Sequence, residues 1–289
     1  MSTPYQQQHQ QPPLQHAQGG PLGTYTSPIA VRQATFKDAL ASEWTKIRSV
    51  RSTLWTLGVL IVLMLGIGLL VAVLVRAHSN GGSDTTPVLV FGAFGVILGS
   101  LCVITLGVLT ISSEYGTGMI RTTFTACPSR GRILAAKSVV FFLLSFVVVT
   151  VDAALVAIVQ NAMVPHDTAP TGGEWLRATV GIGAYTAMLG LLSLAMGALI
   201  RHSAGAITIM IGLVLLPLVL AMFMYTESLS GVRNFLMNYS VPSQLIAFYG
   251  SAASGPGAGP SGWDSLWIIT GVTGVALAGA YLTLKKRDV

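Results

Sequence analysis

The sequence contains few charged residues for its length. Only 9% of its 289 residues are Asp, Glu, Lys or Arg, whereas 52% are hydrophobic. A soluble globular protein of this size needs more polar side chains than that to cover its surface. The composition therefore argues against a soluble protein and predicts one that lies in a lipid bilayer.

Several sequence signatures of enzymes are also absent. There is no GxxxxGK[ST] phosphate-binding loop, no HExxH zinc-binding helix and no GxSxG nucleophile elbow. The two cysteines lie in different environments, Cys102 in an apolar run and Cys127 in a polar loop, so they indicate neither a disulfide nor a metal framework. We therefore predict that the chain is not an enzyme and binds no cofactor directly.

Long apolar runs are what the sequence does contain. A transmembrane helix needs about 20 apolar residues, and six runs qualify, at residues 55–75, 88–111, 138–164, 178–200, 204–225 and 266–284. The predicted fold class is an all-α membrane protein with six transmembrane helices, which form one domain over residues 35–289. An even number of spans places both termini on the same side of the membrane.

The basic residues predict which side that is. Thirteen of the sixteen Lys and Arg residues lie before the first run, between the second and third, between the fourth and fifth, or after the last. Cytoplasmic segments of membrane proteins carry such an excess, so both termini are predicted to be cytoplasmic. This distribution accounts for the net charge of +6, and no nucleic-acid-binding motif accompanies it. Nucleic acid is not a predicted partner.

The segment before the first span divides in two. Residues 1–34 are rich in Gln, Pro and Gly and are predicted to be a disordered cytoplasmic tail. Residues 35–54 predict an amphipathic helix: Thr35 and Asp38 have capping-box spacing, and apolar residues then recur at helical spacing. We expect this helix to lie on the membrane surface, with Trp44 at headgroup level and with Lys46 and Arg48 facing anionic lipid or a protein partner. A simple surface anchor is the alternative.

A polar and basic loop, SSEYGTGMIRTTFTACPSRGRILAAK, occupies residues 112–137 between the second and third spans. Gly116 and Gly118 allow a bend, a short amphipathic turn follows, and Pro128 ends it. We expect a helical knuckle that projects Glu114 and Arg121 into the cytosol. The alternative is an ordinary basic loop with no partner.

Two stretches together resemble a known family. The helix containing EWTKIRSVRS and the loop containing SSEYGTG and PSRGRILAAK are similar to segments of the membrane subunit of bacterial type-2 ABC transporters with six spans. The resemblance implies that the loop and the first helix, as an interface helix, dock on a separate ATPase, and that short outer-leaflet helices lie within residues 232–249. The docking residues it implies are Glu114, Tyr115, Gly116, Thr117, Arg121, Pro128, Arg130 and Arg132, with Trp44, Lys46 and Arg48 on the interface helix.

The resemblance also implies partners and a location. The chain would be the permease of an ATP-driven exporter in the bacterial plasma membrane, paired with a second permease, identical or different. Two copies of the ATPase would bind ATP and Mg²⁺ for it. Two other classes of function stay open at this point: a non-transporting membrane scaffold or regulator, and an ion-coupled secondary transporter.

Asp152 lies near the middle of the third span. A carboxylate at this depth costs about 3 kcal/mol or more on insertion scales, and such residues often mark functional sites. We expect Asp152 either to face the transport pathway or the seam between two permeases, or to be held neutral or hydrogen-bonded by neighbouring hydroxyls such as those of Thr186 or Ser193.

Overall fold

The computed structural model describes residues 35–78, 87–126, 129–166, 168–250 and 259–286, and within these ranges it contains helices and turns but no strand. The predicted tail, residues 1–34, and Pro128 lie outside the described residues. The α-helices are α1 (Phe36–Ser49), α2 (Arg51–His78), α3 (Ala93–Gly116), α4 (Met119–Ala126), α5 (Arg130–Met163), α6 (Gly172–Leu176), α7 (Ile182–Ile200), α8 (Ser203–Phe223), α9 (Ser230–Tyr239), α10 (Val241–Ile246) and α11 (Asp264–Lys286).

Six helices are long and apolar enough to cross a membrane. They are α2, α3 with the 3₁₀ turn Val88–Gly92 before it, α5, the run of α6 and α7 through the π-helical turn Arg177–Gly181, α8 and α11. The prediction of an all-α membrane protein with six spans is therefore confirmed. The helices extend beyond the apolar runs, and α5 begins eight residues before the predicted third span.

Helix α7 lies at the centre of the bundle, where it packs against α3, α5 and α11. Glycines bring these helices close together. A Cβ added at Gly107 of α3 would collide with the carbonyl oxygen of Gly190 in α7, and a Cβ at Gly190 would lie 2.6 Å from the Phe141 ring of α5. These glycines allow the close packing, because any side chain at their positions would separate the backbones.

The peripheral helices expose apolar side chains. Trp55 and Val62 on α2, Phe223 on α8 and Val275 on α11 are each more than two-thirds exposed. Such residues on the outside of a bundle fit contact with lipid chains rather than with water.

The segment between α8 and α11 forms the two short helices expected there. α10 and the 3₁₀ turn after it enter the core, where Phe248 is fully buried and its ring meets the edge of Tyr185, with the ring centroids 5.8 Å apart. α9 exposes its apolar face, including Phe235.

One end of the bundle carries most of the basic side chains. It consists of α1, the connection from α3 through α4 to α5, the turn between α7 and α8, and the last turn of α11. We call it the basic end. Arg130 of α5 donates to the carbonyl of Leu284 in α11 at 2.6 Å and thereby fixes α11 at this end.

The close contact between α3 and α7 can be tested by Gly107→Ala. The added methyl group meets a backbone carbonyl that has no room to move, so we expect about 1–3 kcal/mol of destabilisation, as for other overpacked cores. Gly212→Ala in α8 is the matched control, because nothing lies within 4 Å of its added Cβ. The measurement is the thermal unfolding midpoint of the detergent-purified protein. Equal midpoints for both variants would contradict a tight contact between α3 and α7 at Gly107.

Candidate functional site

Helix α1 begins with the predicted capping box. The Thr35 hydroxyl accepts from the backbone N–H of Asp38 at 3.4 Å, and the Asp38 carboxylate accepts from the backbone N–H of Thr35 at 2.8 Å. Glu43 of this helix is only 4% exposed, whereas Trp44 is 45% exposed. The inward face of this helix therefore carries a charged residue.

Glu43 faces inward because Lys137, at the start of α5, meets it there. The ammonium of Lys137 donates to Oε2 of Glu43 at 2.6 Å, to Oε1 of Glu114 at 2.9 Å and to the carbonyl of Thr110 at 3.2 Å. Lys137 is 2% exposed. Its three N–H groups thus have three acceptors, as a buried ammonium requires.

Lys46 of α1 completes the arrangement. Its ammonium donates to Oε1 of Glu43 at 2.7 Å and to Oε1 of Glu114 at 2.9 Å. Partial burial by itself would lower the pKa of Lys46, but the hydrogen bonds to Glu43 and Glu114 outweigh burial and raise that pKa above its usual value. Lys46 therefore stays charged at neutral pH. We call these four residues, Glu43, Lys46, Glu114 and Lys137, the charged network.

The charged network joins three helices that are distant in the sequence, namely α1, α3 and α5. It contains two carboxylates and two ammonium groups, so it is neutral overall. Removing one partner from a buried ion pair typically costs about 3–5 kcal/mol, because the other charge stays buried without compensation. The network holds helices together and offers no metal site: within the described ranges no group of three or more His, Cys, Asp or Glu residues could bind a metal ion.

The structure corrects the expected position of Glu114, which does not project into the cytosol. Its side chain is only 2% exposed. The reason is that α3 continues through Gly116, so Glu114 is still part of a regular helix and faces α1 and α5 rather than a loop. Its partner Lys137 was recognised in the RGRILAAK motif, but local sequence patterns do not reveal that the two residues meet.

Tyr115, the next residue, faces a different neighbour. The guanidinium of Arg201 lies over its ring, 5.1 Å from the centroid, which is within the range of a cation–π interaction. Arg201 caps the C-terminus of α7 in the left-handed conformation, with φ 57°. Two consecutive residues at the end of α3 therefore contact α1 and α5 on one side and the α7–α8 turn on the other.

The remainder of the predicted loop is mostly helical. α3 ends at Gly116, Thr117 is its C-cap, and Gly118 makes the turn into α4 with a positive φ of 72°. A positive φ favours glycine, which explains the residue at this position. Arg121 is exposed on α4, in agreement with the expectation of a side chain directed outward.

The basic residues after α4 have different environments. Arg130 is partly buried: besides its bond to α11 it stacks over the Phe124 ring, 5.4 Å from the centroid. Arg132 is exposed, as is Arg48 of α1. Ser129 occupies the N-cap position of α5, and its side chain makes no capping hydrogen bond.

Asp152 is buried inside the bundle and is 3% exposed. Neither of its carboxylate oxygens has a hydrogen-bond partner in the described part of the chain. The two expected donors do not bind it: Ser193 donates to the carbonyl of Leu189 at 2.9 Å, and the buried hydroxyl of Thr186 has no partner there either. Asp152 therefore does not lie on an outer face, where a second permease would contact it in this conformation.

The sequence matches the family described as ABC-2 family transporter protein over residues 39–226. That match covers more than half of the chain and includes the whole charged network, Tyr115 and Arg201. A comparison with curated proteins gives no match. Since the matched region also contains five of the six helices able to cross a membrane, the chain belongs to the ABC-2 family of transporter membrane proteins, as the permease component of an ABC transporter.

Proposed function

We propose that this chain is the permease of an ATP-driven exporter and that its basic end transmits the motion of a separate ATPase to the membrane helices. The observation that carries this proposal is the charged network. It connects α1, α3 and α5 at the end of the bundle where α4 and the exposed arginines lie. A surface anchor or an unconnected loop would not need buried charges to fix it to the core.

The mechanism starts at α4. The ATPase contacts α4 through Arg121 and contacts α1 through Arg48 and Trp44, which are exposed on this end. α4 joins α3 through only Thr117 and Gly118, so a displacement of α4 moves the end of α3. ATP binding shifts the population between two permease conformations because the closed ATPase has a higher affinity for one of them.

The charged network and Tyr115 then distribute that displacement. Glu114 transmits it to α1 and α5 through ion pairs, and Tyr115 transmits it to the α7–α8 turn through Arg201. This assigns Glu114 a positioning role inside the protein, in place of the direct ATPase contact that the sequence implied. Arg121 and Arg132 remain the docking residues, together with Gly116, Thr117 and Pro128 of the same segment.

The proposed assembly is the one that the family resemblance implies. A second permease supplies the other half, and two ATPase subunits drive the pair. Export is the direction that the family resemblance favours. The excess of Lys and Arg at the basic end supports an orientation with both termini in the cytoplasm and a location in the bacterial plasma membrane.

The two other classes of function gain less support. An ion-coupled transporter needs paired charges at membrane depth, and Asp152 has no charged hydrogen-bond partner among the described residues. A scaffold would not need the end of α3, next to α4, to be joined to α1, α5 and the α7–α8 turn. Replacing the ATP-binding lysine of the ATPase distinguishes a transporter from a scaffold. Transport by the complex should disappear if this chain is the permease.

Docking through Arg121 is tested by Arg121→Glu. We expect co-purification of the ATPase from native membranes to fall about tenfold, because reversing a charge at an interface replaces attraction with repulsion. Arg233→Glu in α9, outside the basic end, is the matched control and should leave recovery unchanged. Mass spectrometry measures the ratio of ATPase to permease. Undiminished recovery with the Arg121 variant would remove α4 from the docking surface.

The role of the charged network is tested by Lys137→Met and by the double variant Lys137→Met with Glu114→Gln. The single variant leaves buried carboxylates uncompensated, and we expect a loss of about 3–5 kcal/mol. The double variant restores neutrality, leaves the Glu43–Lys46 pair intact, and should recover more than half of the stability. If the network also transmits motion, the double variant should still uncouple ATPase activity from transport. A double variant as unstable as the single one would show that the four residues do not act as one unit.

Asp152 is tested by Asp152→Asn. An uncompensated buried carboxylate destabilises the fold, so we expect the thermal midpoint to stay equal or rise. ATP-driven efflux should fall if Asp152 lines the pathway in the other conformation. Asp264→Asn at the exposed start of α11 is the control for a change of charge alone. An Asp152 variant with unchanged efflux would exclude Asp152 from the pathway.

A further inference from the structure

A groove of about 260 Å³ lies beside the charged network, between α1, the first turns of α2 and the last turns of α3. Lys46 and Glu114 line one end of the groove. Leu106 and Leu109 of α3 line the other end. The groove therefore has a charged end and an apolar end.

Hydroxyl groups line the side walls, and four of them donate to carbonyls of their own helices. Ser49 donates to the carbonyl of Lys46 at 3.0 Å, and Thr56 donates to that of Ser52 at 2.9 Å. On α3, Thr110 and Ser113 likewise donate to carbonyls of their own helix, at 2.7 and 2.6 Å. Each hydroxyl oxygen still has lone pairs, so the walls offer hydrogen-bond acceptors to a ligand.

The charged network leaves one acceptor and one donor unused at the groove. Both oxygens of Glu43 and Oε1 of Glu114 accept from ammonium groups, but the buried Oε2 of Glu114 has no partner among the described residues. Lys46 uses two of its three N–H groups, and its side chain is 26% exposed. A buried carboxylate oxygen without a donor is costly, which points to a ligand that supplies an N–H.

The depth of the groove indicates the physical nature of that ligand. Leu106 lies eight residues before Glu114 on α3, which is about 12 Å along a helix axis at a rise of about 1.5 Å per residue. The groove thus runs from the charged end of the span into its apolar part. Beside it on α2, Leu54 and Trp55 are exposed where lipid surrounds the bundle.

We propose that this groove binds a phospholipid with a primary-amine headgroup, an ethanolamine phospholipid, from the membrane leaflet at the basic end. The ammonium group of the lipid donates to Oε2 of Glu114 as that side chain turns toward the groove, and to the hydroxyl oxygens beside it. The phosphate accepts from Lys46. An acyl chain lies along Leu106 and Leu109. The proposal depends on the membrane location of the chain and not on the ATPase.

Other occupants fit less well. A soluble ATPase contacts the end of the bundle and does not reach Leu106 inside the span. An anionic lipid or a free phosphate would meet the carboxylate of Glu114 without supplying a cation, whereas a zwitterion matches the neutral network. A choline headgroup has no N–H to donate to Oε2.

The test is a lipid titration of the detergent-purified full chain by native mass spectrometry, with dioleoyl phosphatidylethanolamine, the corresponding phosphatidylcholine and the corresponding phosphatidylglycerol. We expect the ethanolamine lipid to bind at least about tenfold more tightly than the choline lipid, a difference typical of one charge-assisted hydrogen bond. Equal binding of the two would overturn the proposal. Tighter binding of phosphatidylglycerol would overturn it in favour of an anionic-lipid site.

A second arm places the site. Thr53→Trp fills the groove from α2 without changing the charged network, because Thr53 lines the groove and is not part of the network. Val62→Trp on the outer, 69% exposed side of α2 is the matched control. We expect the preference for the ethanolamine lipid to disappear only in the Thr53 variant. If the Thr53 variant keeps the preference for the ethanolamine lipid, the lipid binds elsewhere. If the Thr53 variant does not fold, the comparison of headgroups on the unmodified protein still decides which lipid is bound.

Discussion

The attachment of α1 to the bundle depends on ion pairs more than on apolar burial. Ile47 is the one apolar side chain that α1 buries fully, and the other buried residue of the helix is Glu43. One apolar side chain contributes about 1.5–3 kcal/mol when buried, which is little for ordering a helix of four turns. The ion pairs of Glu43 and Lys46 with Lys137 and Glu114 also fix the orientation of α1. Only one rotation of α1 places both of its charges opposite their partners.

Helix geometry explains how two consecutive residues, Glu114 and Tyr115, contact two different parts of the fold. Consecutive residues of an α-helix point about 100° apart, since a turn contains about 3.6 residues. Glu114 therefore faces α1 and α5 while Tyr115 faces Arg201 at the α7–α8 turn. α7 is the central helix, and through this contact its basic end is joined to the end of α3. Both residues lie in the continuous helix α3, and the glycine turn comes only after them, at Gly118. A displacement of the end of α3 therefore moves both contacts together.

The sequence predicted the architecture well because lipid imposes a simple requirement. Apolar runs of sufficient length identify the six spans, and the capping residues at Thr35 identify the start of α1. The charged network was less predictable. An isolated amphipathic helix directs its charged residues to water, whereas Glu43 is buried beside Lys137, which is 94 residues away in the sequence. Local patterns contain no information about such pairs, and the same limit led to the wrong environment for Glu114.

Asp152 and Glu114 show two opposite solutions for a buried carboxylate. Glu114 lies at the end of its span, where α1 can approach from outside the membrane and supply Lys46. Asp152 lies near the middle of its span, and neither of its carboxylate oxygens has a hydrogen-bond donor among the described residues. Such a residue lowers the stability of this conformation, so stability alone does not explain its presence. A second conformation in which Asp152 gains a hydrogen-bond donor, from water or from a bound molecule, would recover that energy.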